Sequence, residues 1–319
     1  MLQQRTAGYK ALDRLRKNGE FPPSRVGAIE PDLERKTNIL MKRFFAERLS
    51  VSEQLGGGFC IEELIDRTLR TDEPEIMDSP TLAEREKFEL VNALDRQNNV
   101  MGIYRLYASM IFPLARELAE KKNRTIKLVE LAAGAGGLSL ALASEAAKEG
   151  LPLSVTGTDI VPAYIEHGNN EARRRQLPVT FRLLDASDMD EAVQIDYDIM
   201  LLSQSLHHFT PGQLAVMIAS AGKQGASAFI GIDGCRDLLL GIGMPLIAAL
   251  QGIPAFAMDG LTSARKFYSE AELSLIAEAA AGPGCHRIEH LWPVSFMCVR
   301  FDGETVSHKN IANNQPEES

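Results

Sequence analysis

This 319-residue sequence predicts an α/β fold with an open, mostly parallel sheet. Two observations carry that prediction. From about residue 126, strand-like and helix-like runs alternate without interruption, and the last two strand-like runs lie back to back with too little chain between them for a helix. A third observation places a separate region in front: nothing before residue 126 reads as a strand.

Residues 1–30 are polar and include Pro22-Pro23, so they are expected to form a loose arm. From Asp32 the pattern turns helical, with Leu33, Ile39, Leu40, Phe44, Phe45 and Leu49 at three-to-four spacing. Gly56-Gly57-Gly58 breaks that helix, and IEELIDRTLR starts the next. Ser79-Pro80 is expected to open another, and Asn98–Ala119 to form a third, richly apolar one. Residues 31–125 are thus read as a helical cap or oligomerisation region.

Strand grammar then begins. KLVELAA, LSVTGTD, VTFRLLDA, YDIMLLSQS and ASAFIGID are five expected strands, each followed by a helical run. The helix after VTFRLLDA is short (SDMDEAVQI), and Thr210-Pro211 supplies an N-cap and first-turn proline for the next. HRIEHLWP and VSFMCVRF close the sheet as an antiparallel pair. These elements define a domain over 126–303, interrupted by an apolar insertion over 237–266 and followed by a polar tail, 304–319.

Composition excludes several classes. With 45% hydrophobic and 24% charged residues the chain is neither disordered nor fibrous. A net charge of −9 without a basic run argues against nucleic-acid partners. The four cysteines, Cys60, Cys235, Cys285 and Cys298, show no metal spacing, so no metal site is expected, and a reducing cytoplasm fits them. Leu238–Met258 is nearly long enough to span a bilayer, but Gly241, Gly243, Pro245, Gly252 and Pro254 should break it. It is read as a buried or partner-facing helical insertion with no integral membrane span.

In an open α/β sheet, ligands bind beyond the carboxyl ends of the strands. The first strand runs into VELAAGAGG, where Gly134 and Gly136 allow a tight turn and close backbone approach to a ligand. Glu130 is an acid inside that strand. Asp159 ends the second strand, 25 residues after Gly134, where a carboxylate can accept hydrogen bonds from a ribose diol. Asp185 ends the third, suited to an adenine amino group. Each acid alone could be a helix cap or a turn; three at successive strand ends favour a nucleoside ligand. A nicotinamide dinucleotide fits less well, because Ser139 stands at the third glycine of the G-x-G-x-x-G fingerprint.

VELAAGAGG, GTD, LLDASD and YDIMLLSQSLHHF together resemble the class I S-adenosylmethionine-dependent methyltransferases, over about residues 85–301. The resemblance is greatest to bacterial small-molecule enzymes of quinone and polyketide pathways. It implies a Rossmann-like seven-stranded sheet with only the last strand antiparallel. It also implies S-adenosylmethionine as cofactor. Glu130 would serve its ammonium, Gly134 and Gly136 the loop beneath it, Asp159 with Ile160 the ribose side, Asp185 and Ala186 the adenine edge, and Ser203 and Gln204 the methionine end. Ala132 stands where the family has its first glycine, and is tolerable if its backbone stays in the β region.

His207 and His208 follow the fourth strand, and an imidazole of ordinary pKa suits general base work on a hydroxyl or phenol. Tyr104, Arg105 and Tyr107 lie on a helix that in such enzymes folds over the cofactor. The function expected is methyl transfer to a small, apolar or aromatic acceptor, most simply at oxygen. The alternatives are a non-catalytic cofactor-binding scaffold and, third, an NAD(P)-dependent oxidoreductase. Phe44, Phe45, Ile111, Phe112, Leu246 and Ile247 look like an apolar surplus, so the N-terminal helices are expected to meet the insertion on the acceptor side, with a homodimer formed through one of them.

Overall fold

Five parallel strands and an antiparallel closing pair form one seven-stranded sheet in the order β3-β2-β1-β4-β5-β7-β6. The computed structural model describes residues 2–303, apart from 24, 25, 30 and 189–194. The expected short helix SDMDEAVQI falls mostly outside the described residues, and the expected tail 304–319 lies wholly outside them.

The strands are β1 (Ile126–Leu131), β2 (Leu153–Asp159), β3 (Val179–Leu183), β4 (Ile199–Ser203), β5 (Ala228–Gly234), β6 (His286–Leu291) and β7 (Val294–Arg300). β7 runs antiparallel to both β5 and β6, so it alone opposes the rest. β4 (IMLLS) and β7 (VSFMCVR) are buried at every position. Such unbroken apolar runs are what strands covered on both faces require.

Two helical layers cover the sheet. On one face, α5 (Ile103–Lys122) and α6 (Gly137–Glu149) pack through Tyr107, Ile111, Leu118 and Leu142 onto Leu128, Ile199 and Ile230. On the other, helices Pro211–Lys223 (α8) and Glu270–Ala281 (α11) pack onto Val129, Met200, Phe229 and Met297. Helix α7 (Pro162–Arg175) links β2 to β3. Thr210 is the N-cap of α8 as expected, and it forms a capping box with Gln213 as its return partner.

The described elements of the N-terminal region are all helices, but four expectations are corrected. Residues 1–30 are not a loose arm: Leu2–Lys17 is helix α1, and Ala7, Ala11, Leu12 and Leu15 are almost fully buried. Their i, i+4, i+5, i+8 spacing makes one apolar stripe, which rests on α2 (Leu33–Leu55), α3 (Gly58–Leu69) and α11. The supposed apolar surplus at Phe44, Ile111 and Phe112 is also absent, because all three are core residues. The helix expected at Ser79-Pro80 starts later, as α4 (Glu84–Val100), after a 3-10 turn at Ile76–Asp78. Gly102, at φ 69°, separates α4 from α5 inside what looked like one helix.

The insertion forms two helices, α9 (Leu238–Ala249) and α10 (Pro254–Lys266). Pro245 sits inside α9, so the break comes at Gly252 (φ 71°) and not at the first proline. Among the described residues no helix is long and apolar enough to cross a membrane. Leu90 and Ala93 of α4 pack on Ala248 and Phe256, so α4 is the N-terminal helix that shares an apolar cluster with the insertion.

A buried ionic network ties these layers together. Arg48 of α2 reaches Glu63 at 2.7 Å and Asp66 at 2.5 Å on α3. Arg70 holds Glu272 of α11 with both terminal nitrogens, at 2.8 and 2.9 Å, and Arg236, just past β5, also pairs with Asp66. Despite its burial, which opposes ionisation, Asp66 is held far below the usual carboxylate range by Arg70, Arg236 and Arg48. Removing one member strands the others without a counter-charge. Asp66→Ala is therefore expected to cost about 3–5 kcal/mol, measured as a lower denaturation midpoint; a loss below 1 kcal/mol would show that the network is dispensable.

Candidate active site

The carboxyl ends of β1, β2 and β4 converge beside one loop, 132–136. Its backbone is unusual: Ala132, Gly134 and Gly136 all have left-handed φ values, of 50°, 55° and 88°. The condition under which Ala132 was tolerable, a β-region backbone, is thus not met. A left-handed residue with a Cβ costs roughly 1–2 kcal/mol. Gln204, at the end of the neighbouring strand β4, carries the same strain at φ 52°. Two such residues on adjacent central strands mark the place where the chain bends for something other than packing.

Glycine is required at Gly136, where a Cβ would lie 2.3 Å from the Phe181 ring, and at Gly137, where it would lie 1.9 Å from the Asp95 carboxylate. Asp159 straps the loop down. One of its oxygens accepts from the Gly134 amide at 2.8 Å and the other from Val161 at 3.0 Å. The cap reading and the ligand reading of Asp159 therefore coexist, since each carboxylate oxygen retains a second lone pair. Burial nevertheless pushes its pKa up.

Glu130 lies in the middle of the sheet, on the α5–α6 face. It accepts from Ser139 of α6 at 2.6 Å and from Ser203 of β4 at 2.7 Å. Burial raises its pKa to about 7, against the pull of those two hydroxyls. Asp185 accepts from the Ser187 amide and hydroxyl at 2.8 and 2.7 Å, an Asx turn, and Ala186 beside it is buried. Ile160 is 60% exposed, leaving an apolar surface next to Asp159.

Helix α4 covers the loop. Asn98 and Gln204 exchange amide hydrogen bonds of 2.8 and 3.2 Å, and the Tyr104 hydroxyl donates to Asp95 at 2.9 Å. A cleft of about 270 Å³ opens there, lined in part by Asp95, Asn99, Ala135, Gly137 and His167. Tyr107 is buried in the α5 layer, and Arg105 is exposed on the same helix. Asp95 and Asn98 were not recognisable beforehand, because a polar pair on an amphipathic helix looks like solvent-facing surface.

The histidines sit beyond β4 in a second cluster. His207 Nδ1 lies 2.7 Å from Asp233 and Nε2 lies 3.1 Å from Glu75. Burial opposes a charge on His207, but Asp233 and Glu75 outweigh it and raise the pKa to about 9. An imidazolium with both N–H groups bound to carboxylates has no lone pair for a proton, so the general base role expected of His207 is corrected. His208 contacts Asp78 through Nδ1 at 3.1 Å and keeps a quarter of its side chain exposed. Asp233 could have been found by the strand-end rule that picked out Asp159; Glu75, in a polar stretch far upstream, gave no signal.

Residues 128–225 match a family model described as a methyltransferase domain. Over those residues the chain carries a methyltransferase domain. No curated protein matches the sequence. Among solved structures, a plantazolicin methyltransferase in complex with a triazolic desmethylPZN analog and S-adenosylhomocysteine is 12% identical, covers 68% of this chain and 91% of its own, and gives a TM-score of 0.50, a likeness of fold. The magnesium protoporphyrin IX methyltransferase of Synechocystis PCC 6803, with bound S-adenosylhomocysteine, is 14% identical over 70% of this chain and 90% of its own, with a TM-score of 0.41.

The chemistry of the residues at the strand ends fits S-adenosylmethionine, the donor that the sequence resemblance implies. Glu130, Asp159 and Asp185 offer carboxylate acceptors at three adjacent strand ends, matching a molecule with an ammonium, a ribose diol and an amino-purine. The raised pKa of Glu130 has a sign that can be checked. Its folded value exceeds the ordinary carboxylate value, so the folded state holds the extra proton between about pH 4.5 and 7, and stability falls as pH rises through that window. Glu130→Gln should remove that fall, on the order of 2–3 kcal/mol, leaving a flatter profile of unfolding free energy against pH. An unchanged profile would show that Glu130 is not the group responsible.

Proposed function

We propose that the protein methylates an oxygen of a small, apolar or aromatic acceptor. The observation that carries this reading is the helix pair α9–α10 beside the histidine cluster. Phe267, at the end of α10, stacks edge-on against His207 at 5.0 Å, and Ser263 of α10 donates to Glu75 at 2.8 Å. Leu239, Ile242 and Leu246 of α9 are more than 60% exposed, an apolar surface suited to an apolar acceptor or a second copy of the chain.

S-adenosylmethionine supplies an electrophilic methyl group on a sulfonium. Glu130 would hold its ammonium end together with Ser203 and Gln204, Asp159 with Ile160 its ribose side, and Asp185 and Ala186 its adenine edge. The loop at Gly134 and Gly136 allows the backbone to approach closely. What the chain contributes to the displacement is mainly alignment in a closed site, worth several orders of magnitude in such reactions. His208, the more accessible histidine, is the side chain that would take the acceptor's proton. The four unpaired cysteines support a reducing, cytoplasmic setting. A homodimer would form through the exposed face of α9, since Phe44, Ile111 and Phe112 are buried within one chain.

Two measurements test this. Incubation with S-adenosylmethionine and a panel of phenols, quinols, amines and carbon acids should yield O-methylated products; products methylated only at nitrogen or carbon would refute the oxygen assignment. In calorimetry, Asp159→Ala should weaken S-adenosylhomocysteine binding roughly 10- to 100-fold, the loss of a hydrogen bond to a charged acceptor. Unchanged affinity with a lowered melting temperature would leave Asp159 as a strap for the loop alone.

A further inference from the structure

We propose that Glu75, His207 and His208 form a binding site for one divalent transition-metal ion. Their ligand atoms lie within 4.8 Å of one another, the single such cluster among the described residues. Both Nε2 atoms turn to the same carboxylate, His207 Nε2 at 3.1 Å from Glu75 Oε1 and His208 Nε2 at 3.8 Å from Oε2. Two ligands of a tetrahedral ion, each about 2.0–2.2 Å from it, stand about 3.3 Å apart. The two carboxylate–imidazole spacings bracket that value.

The surroundings strengthen the assignment. Each histidine has a carboxylate at its other nitrogen, Asp233 on His207 Nδ1 and Asp78 on His208 Nδ1. A carboxylate behind each Nδ1 supports a metal-bound histidine in the usual way, and an ion entering the site displaces the proton between His207 Nε2 and Glu75, freeing that lone pair. The Glu75 segment is held independently, because Asp259 accepts from the amides of Ile76 and Met77 at 2.5 and 3.0 Å and Ser263 donates to Glu75. Four carboxylates (Glu75, Asp78, Asp233 and Asp259) thus surround two imidazoles, with Lys266 close enough to stabilise the Asp78 anion. Two imidazoles and one carboxylate favour zinc, iron, cobalt or nickel over magnesium or calcium, and three protein ligands leave a position open. The partly exposed His208 and Asp78 provide a way in from solvent.

Binding of the ion does not depend on the methyl-transfer reading. One consequence does: with the ion in place His208 is a ligand, and polarising the acceptor oxygen passes from a base to a Lewis acid.

The test uses untagged, full-length protein stripped with a chelator, with neither methyl donor nor acceptor present. Zinc is titrated against a chromophoric chelator, and cobalt is followed by its visible d–d absorption. The expected result is one equivalent of zinc per chain with submicromolar affinity, a rise in melting temperature, and cobalt bands of a four- or five-coordinate site. His208→Ala should weaken zinc at least 100-fold. Asp78→Asn, a change at a partly exposed side chain that leaves all three ligands in place, should weaken it about 10-fold. Absence of stoichiometric zinc from the wild-type protein, or equal affinity in His208→Ala and Asp78→Asn, would overturn the site, whether or not the protein proves to be an O-methyltransferase.

Discussion

Placing β1 at the centre of the sheet, where the strand order turns back on itself, is the constraint on which the rest of the molecule depends. From β1 the chain moves outward through β2 and β3, then crosses over to β4 and β5 on the other side. The two crossovers diverge at the carboxyl ends of β1 and β4, and a crevice opens between them. Both strands leave the sheet through left-handed residues, Ala132 and Gln204, because each must turn away at once from its neighbour. Glu130 then sits where it can bond both the helix after β1 and the end of β4, which ties the crevice walls together from beneath.

Two buried polar systems flank that crevice, and they differ in kind. The network of Arg48, Glu63, Asp66, Arg70, Arg236 and Glu272 contains three cations and three anions bonded to one another. Such a balanced system fixes the mutual orientation of α2, α3 and α11, which apolar packing alone would leave less sharply defined. The cluster around His207 and His208 is not balanced: carboxylates outnumber cations. Asp233 and Glu75, on either side of the ring, raise the pKa of His207 and so favour a positive charge there. A site that attracts positive charge and keeps one edge open to solvent behaves as a place for chemistry rather than as a structural rivet.

Much of the fold was legible because hydrophobic patterning is a local property. IMLL and AFIGI are short, uniformly apolar runs that suit buried strands, and glycines or prolines bound most of the helices between them. Glu130, Asp159 and Asp185 were legible for a related reason, since strand ends in a parallel sheet are functional positions whatever the rest of the chain does. The polar look of residues 1–30 misled, because the apolar part of α1 is a narrow stripe (Ala7, Ala11, Leu12 and Leu15) and charged residues such as Arg5, Lys10, Asp13, Arg16 and Lys17 face water. Composition averages over both faces; burial depends on one.

The sequence by itself determined the alternation of strands and helices, the antiparallel end of the sheet, and the row of acids along its edge. Each follows from backbone geometry and from side chains close together in the chain. Only the tertiary structure decided that Ala132 is left-handed, that Asp95 and Asn98 lie over the loop, and that Glu75 meets His207 across 132 residues of chain. Those contacts arise from the packing of α4 on α5 and of α10 on α4 and the 3-10 turns at Ile76–Asp78 and Leu206–His208, an outcome of long-range shape complementarity that no local pattern encodes.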